Sequence, residues 1–177
     1  MGRAQVRLSL KARALQLLAQ RDQSRLEMRR KLLYHAERAT ADQGAGEGEP
    51  DARSDEVEAV LDWLEANRYL CAERFAESRV HAREERFGNQ RIKKELAQHG
   101  VKLPADVAEG LAESEFRRAA AVRMRRFVAP PRDAAERAAQ SRFLAGRGFS
   151  ADVIHRLMRQ VGEAALAAGR DEPAGPG

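Results

Sequence analysis

The sequence predicts an all-α protein: an elongated array of three tandem three-helix, helix-turn-helix-like repeats, about nine helices in all. Three observations carry this. The 177 residues are rich in Ala, Leu, Arg and Glu, with 33% charged and only 5% aromatic residues, and Val, Ile, Thr, Tyr and Phe never alternate over a strand-length run. Capping residues and helix breakers recur at helix-length intervals. A short apolar signature occurs three times along the chain, which is the mark of a repeat architecture.

The elements follow in order. Residues 1–9 read as a loose leader. A helix over Leu10–Arg21 carries Ala14, Leu15, Leu17 and Leu18. Ser24 caps the next helix and Glu27 completes a Ser-x-x-Glu capping box; Met28 and Leu32 form its core side, Arg25, Arg29 and Arg30 its exposed side, and it ends near Ala36. The acidic, Gly-rich stretch Ala39–Arg53 has no apolar periodicity and reads as a flexible loop. Ser54 is expected to cap a third helix, in which Val57, Val60, Leu61 and Leu64 follow i, i+3, i+4, i+7 and Trp63 sits at the edge of the stripe. Helices then run over Ala72–Arg86 and from Asn89 to a stop at Gly100, where glycine suits a left-handed C-cap. Pro104 suits the first turn of a helix bearing Val107 and Leu111, and a separate helix is expected over Glu115–Phe127, broken by "APP". Asp133 and Glu136 open the next helix, Gly146 and Gly148 end it, and Ser150 caps the last, whose apolar face is Val153, Ile154, Leu157, Met158 and Val161.

The repeat is visible in "EVEAVL" (Glu56–Leu61), "DVAEGL" (Asp106–Leu111) and "DVIHRL" (Asp152–Leu157), which share acid-Val-x-x-x-Leu. Before them lie "KLLYHA", "ELAQHG" and "FLAGRG", with Leu32, Leu96 and Leu144 in register; Leu96 and Leu144 are 48 positions apart, as are Gly100 and Gly148. The expected units are residues 10–70, including the acidic loop 39–53, then 71–113 and 114–165, followed by a disordered tail over 166–177.

Charge narrows the function. Net charge is +5, yet Glu37–Glu58 carries eight acids against Arg38 and Arg53, a local −6, so the remainder carries +11. A basic body points to a polyanion or an acidic protein partner. One cysteine, Cys71, forbids an intrachain disulfide and fits a reducing compartment; no stretch reads as a signal peptide or a membrane span, so a cytoplasmic location is expected. His35, His81, His99 and His155 are scattered, no phosphate-binding Gly loop is present, and Cys71 has no activating base nearby in sequence. No enzymatic activity, cofactor or metal is therefore expected. The aromatics fall singly and form no interleaved platform of the kind that reads bare single strands by stacking.

The segments "ALQLLAQRDQSRLEMRRKLL", "VEAVLDWLEANRYLCAERFAESRVHARE", "GNQRIKKELAQHGV" and "RFLAGRGFSADVIHRLM", in that order, resemble the RecX family of bacterial recombination regulators over Lys11–Arg159; the most specific pieces are "ERFAESRV" and "RIKKEL". The resemblance implies three tandem three-helix units and a non-enzymatic protein that binds the RecA recombinase, lies in the groove of its filament on single-stranded DNA, and mainly inhibits ATP hydrolysis, filament extension and strand exchange. Some members of the family also bind DNA directly. The acidic segment over 39–53 is longer than the tight turn usual there, and Cys71 stands where the family often has an acid.

The residues expected to meet RecA or phosphate, chosen by charge clustering, are Arg25, Arg29, Arg30, Arg79, Arg83, Arg86, Arg91, Lys93, Lys94, Arg123, Arg125 and Arg126. The expected partners are a RecA filament and single- or double-stranded DNA, with no membrane, and the chain is expected to be a monomer. The alternative reading is a stand-alone helix-turn-helix DNA-binding protein. The copy of "SRLEMRRKLL" in "NQRIKKELAQ", with a weaker third near "AAQSRFLAGR", argues against a single recognition helix.

Overall fold

A computed structural model describes residues 8–41 and 50–168. The described residues form eight α-helices and no strand: α1 (Leu10–Gln20), α2 (Arg25–Ala41), α3 (Pro50–Ala66), α4 (Ala72–Arg83), α5 (Asn89–Gln98), α6 (Ala105–Arg126), α7 (Ala134–Gly146) and α8 (Ala151–Ala168). The all-α expectation holds. The chain separates into two compact units, one comprising residues up to Ser78 with Leu96–Lys102, the other Arg79–Glu95 with the chain from Leu103 onward. The residues expected as the middle repeat, 71–113, are thus shared between the two.

In the first unit the apolar stripes of α1, α2 and α3 meet. Ala14, Met28, Leu32, Val57, Leu61 and Leu64 are fully buried together, with Leu17, Val60 and Trp63 packed around them. Ser9, expected in the loose leader, caps α1 by accepting from Ala12 N–H at 3.2 Å, and Ser24 Oγ accepts from Glu27 N–H at 3.1 Å, as its capping pattern predicts. The Glu27 carboxylate turns instead to Arg21. Gln23, 2% exposed, joins two helices: its Nε2 donates to Leu17 O at 2.9 Å and its Oε1 accepts from Lys31 Nζ at 2.8 Å. α3 ends at Ala66, and in the turn after it Arg68, a non-glycine residue, takes φ 58°, with Tyr69 and Leu70 N–H both returning to Leu64 O.

In the second unit Ala119, Val122, Leu144, Phe149, Val153, Ile154, Leu157 and Met158 form the core between α6, α7 and α8. Two buried charged residues of α6 organise the turns around it. Glu115, 5% exposed, accepts from Asn89 N–H at 3.0 Å, Ser150 N–H at 3.2 Å and Ser150 Oγ at 2.9 Å, so one carboxylate serves the starts of α5 and α8 together. Arg118, 9% exposed, donates to Glu84 O, Phe87 O, Leu111 O, Asn89 Oδ1 and Ser114 Oγ. Burial pushes its guanidinium pKa down. The α4–α5 and α7–α8 turns lie against each other: Gly88 N–H donates to Arg147 O at 2.9 Å and Gln90 N–H to Gly148 O at 3.0 Å. A Cβ at Gly88 would stand 2.2 Å from Phe149 N, so the approach requires glycine.

The period of 48 has a conformational counterpart. Gly100 and Gly148 both take left-handed φ, 71° and 80°, and in each case the next residue (Val101, Phe149) donates back to the leucine in register (Leu96, Leu144).

Several boundaries differ from expectation. The helices expected on either side of residue 114 are one continuous α6, which lowers the helix count among the described residues to eight. Ser114 does not cap; its Oγ bonds back to Gly110 O at 2.8 Å, and Gly110, with open space around it, is absorbed in the helix. α2 extends to Ala41 rather than stopping near Ala36, and α3 starts at Pro50, whose fixed φ suits a first turn, so part of the expected loop 39–53 is helical and Ser54 lies inside α3. The rest of that acidic segment, residues 42–49, lies outside the described residues, as do 1–7 and 169–177 of the expected leader and tail. α4 stops at Arg83, and a turn then carries the Phe87 N–H to Arg83 O at 3.0 Å.

Candidate partner-binding surface

The twelve cations singled out in the sequence have different fates in the structure. Arg25, on the first turn of α2, is held by three α3 carboxylates at i, i+4 and i+7: Glu58 at 2.6 Å, Asp62 at 2.7 Å and Glu65 at 2.6 Å. Burial pulls its pKa down, but hydrogen bonds to Asp62, Glu58 and Glu65 more than reverse this. Arg29 pairs with the same Glu58 and donates to Ser54 Oγ at 3.1 Å. Arg29, with Arg25, holds the Glu58 carboxyl below its ordinary range. The expected exposed basic side of "SRLEMRRKLL" is therefore largely an internal α2–α3 ion-pair network. Only Arg30 of that trio points to solvent with no partner among the described residues.

In the second unit Arg79 and Arg83 share Glu95, at 3.5 Å and 3.1 Å. Arg123 is 6% exposed; its Nε donates to Gln140 Oε1 at 2.8 Å and its Nη2 to Ala129 O at 2.7 Å, so it fastens α6 to α7 and is closed to any partner. Burial lowers its pKa. Arg123, expected among the contact residues, thus lies buried on the face of α6 that meets α7. Lys93, Lys94 and Arg125 are exposed and make no ion pair among the described residues.

Arg86, Arg91 and Arg126 are also exposed, and each lies over a ring instead of a carboxylate. The Arg91 guanidinium sits 4.3 Å from the Phe87 centroid with Arg86 at 5.9 Å, and Arg126 is 5.6 Å from Phe127. Arg147, absent from the sequence-based list, lies 4.2 Å over Phe143, and Phe143 meets Phe127 edge-on at 5.2 Å. Because the Arg147 carbonyl accepts from Gly88, the Phe87 and Phe143 pairs are joined through the turn–turn contact. A ring under a guanidinium orients it without neutralising it. The second unit thus holds exposed cations that keep their charge, unlike the neutralised set on α2. Among the described residues no group of three or more His, Cys, Asp or Glu could hold a metal, and no helix is long and apolar enough to cross a membrane.

The family described as RecX, third three-helix domain, matches residues 113–158, the stretch holding the latter part of α6, all of α7 and the start of α8. The chain is 48% identical over 156 residues to a regulatory protein RecX of Herbaspirillum seropedicae, covering 87% of this chain and 89% of that one. It is 47% identical over 168 residues to a regulatory protein RecX of Ralstonia nicotianae, covering 94% and 95%. The chain belongs to the RecX family. Both relatives are named as regulatory proteins, which agrees with the non-enzymatic role that the resemblance implies. The crystal structure of RecX from Lactobacillus salivarius, 17% identical, has the same fold at a TM-score of 0.59, covering 86% of this chain and 94% of that one. In this RecX chain, the residues that sequence reasoning missed are Glu115, Arg118 and Arg147. The first two look in sequence like an ordinary solvated pair on a charged helix; the third gives a signal only in its position four after Phe143.

Proposed function

We propose that this RecX protein binds the RecA filament on single-stranded DNA and restrains its ATP hydrolysis, extension and strand exchange. The observation that carries the reading is membership of a family of regulatory proteins, at 48% identity over 87% of the chain. The site supports it: Arg86, Arg91, Lys93, Lys94, Arg125 and Arg126 of the second unit and Arg30 of the first are exposed cations without a carboxylate partner among the described residues, and a nucleoprotein filament offers both phosphates and acidic side chains. Contacts from several places on one chain to neighbouring filament subunits add as avidity. Holding those subunits in one arrangement opposes the conformational change that accompanies nucleotide turnover.

The test is a titration of the protein into a RecA ATPase assay driven by single-stranded DNA. Inhibition at amounts substoichiometric to RecA is expected. Unchanged ATPase at amounts equal to RecA, together with nanomolar binding to duplex alone, contradicts the reading and favours a stand-alone DNA-binding protein.

A further inference from the structure

A groove of about 460 Å³ in the second unit is lined by α7 and α8, with Gln90 of α5 at its edge. Its apolar lining is Ala145, Phe149, Ala151, Ile154 and Met158. Arg137, Arg142 and His155 line the rim. All three are exposed, none makes an ion pair or a side-chain hydrogen bond among the described residues, and no carboxylate lines the groove. Basic residues of this chain elsewhere are often met by acids, as at Arg25, Arg83 and Arg132. An apolar floor ringed by unpaired cations is the complement of an amphipathic acidic segment. Phe149 is 2% exposed, so the floor presents no ring face on which a nucleobase could stack.

We propose that this groove docks an acidic amphipathic segment of the filament's protein component, with an apolar side chain seated against the exposed Ala145 and Ala151 beside Ile154 and carboxylates on Arg137 and Arg142. The proposal rests on the reading above, that the partner is a RecA filament. An apolar anchor in a pocket together with bidentate Arg–carboxylate pairs is the composition of a binding hot spot.

The experiment measures equilibrium binding of the full chain to preassembled RecA filaments on an oligo-dT strand, comparing wild type with Ala145→Glu, Ala145→Lys and Arg137→Glu/Arg142→Glu. Ala145 is exposed on α7, and Glu and Lys are both good helix formers, so melting curves should match wild type. Ala145→Glu and the double reversal should each weaken filament binding by about tenfold or more, while Ala145→Lys, similar in bulk but opposite in charge, should weaken it less. Wild-type affinity in both Ala145→Glu and the double reversal overturns the groove and leaves the filament reading standing. Equal loss in Ala145→Glu and Ala145→Lys overturns an acidic occupant. Loss of affinity for the bare oligo-dT strand, with filament binding retained, assigns the groove to nucleic acid and overturns the proposal. A wild-type chain that ignores the filament ends both.

Discussion

Arg25 and Arg91 carry the same guanidinium in opposite surroundings: three α3 carboxylates enclose one, and the Phe87 ring underlies the other. Arg25→Gln should therefore act on stability. Partly exposed ion pairs contribute about 1 kcal/mol or less each, and the substitution also leaves Glu58, Asp62 and Glu65 facing one another, so a lowered melting temperature is expected. Replacing Glu58 as well should restore part of it, which a double-mutant cycle reads directly. The same network has a pH signature. Glu58, held by Arg29 and Arg25, and Glu27, held by Arg21, have folded-state pKa values below the ordinary carboxyl range. Their stabilisation is complete above the unfolded value of about 4.3 and is lost as pH falls through the depressed folded values. His35 is pushed down by burial, then by Arg13 and Arg38, so it costs stability with the same sign, beginning as pH falls below about 6.5. The melting temperature should drop between pH 7 and pH 3, and Glu58→Gln should flatten the acid part of the curve. At this scale the sequence was half legible: the buried Met28 and Leu32 followed from periodicity, whereas the acids that meet Arg25 lie 33 to 40 residues away and no local pattern pairs them with it.

Among the elements, α6 departs most from what its sequence suggests, and the reason is physical. Gly110 and Ser114 resemble punctuation, but burial of Leu111, Glu115, Arg118 and Val122 on one side of the helix outweighs the roughly 1 kcal/mol that an interior glycine costs. The buried Glu115 should be sensitive. Glu115→Ala leaves the Asn89 and Ser150 N–H groups without an acceptor and takes one of two nearby anions, Glu115 and Glu84, from Arg118, and a loss of about 3 kcal/mol in urea unfolding is expected. The glycines divide in the same way. Gly88→Ala should be severely destabilising because backbone occupies the new Cβ position. Gly100→Ala meets open space and should cost only the left-handed strain of about 1 kcal/mol. Equal losses at the two positions would contradict the turn–turn contact. The left-handed C-caps at Gly100 and Gly148 were legible from the repeat, but the requirement at Gly88 was not, because it arises from a turn about 60 residues later in the chain.

For the molecule as a whole, composition and the 48-residue register were enough to indicate an all-α protein, and four ordered segments were enough to indicate the RecX family, which the curated relatives establish. The candidate binding surface was less legible. Charge clustering treats every arginine alike, while the fold withdraws Arg25 and Arg29 into ion pairs, buries Arg123, and leaves Arg86, Arg91 and Arg126 outward over phenylalanine rings. If those outward cations meet the filament, reversing them must affect binding while reversing the committed ones acts mainly through stability. The most direct measurement is the dissociation constant for preassembled RecA filaments of wild type, Arg86→Glu/Arg91→Glu and Arg25→Gln, taken well below their melting temperatures. The expected result is a loss of about tenfold or more for the double reversal, with a shallower dependence on salt, and a value within about twofold of wild type for Arg25→Gln. Wild-type affinity in the double reversal would contradict the account.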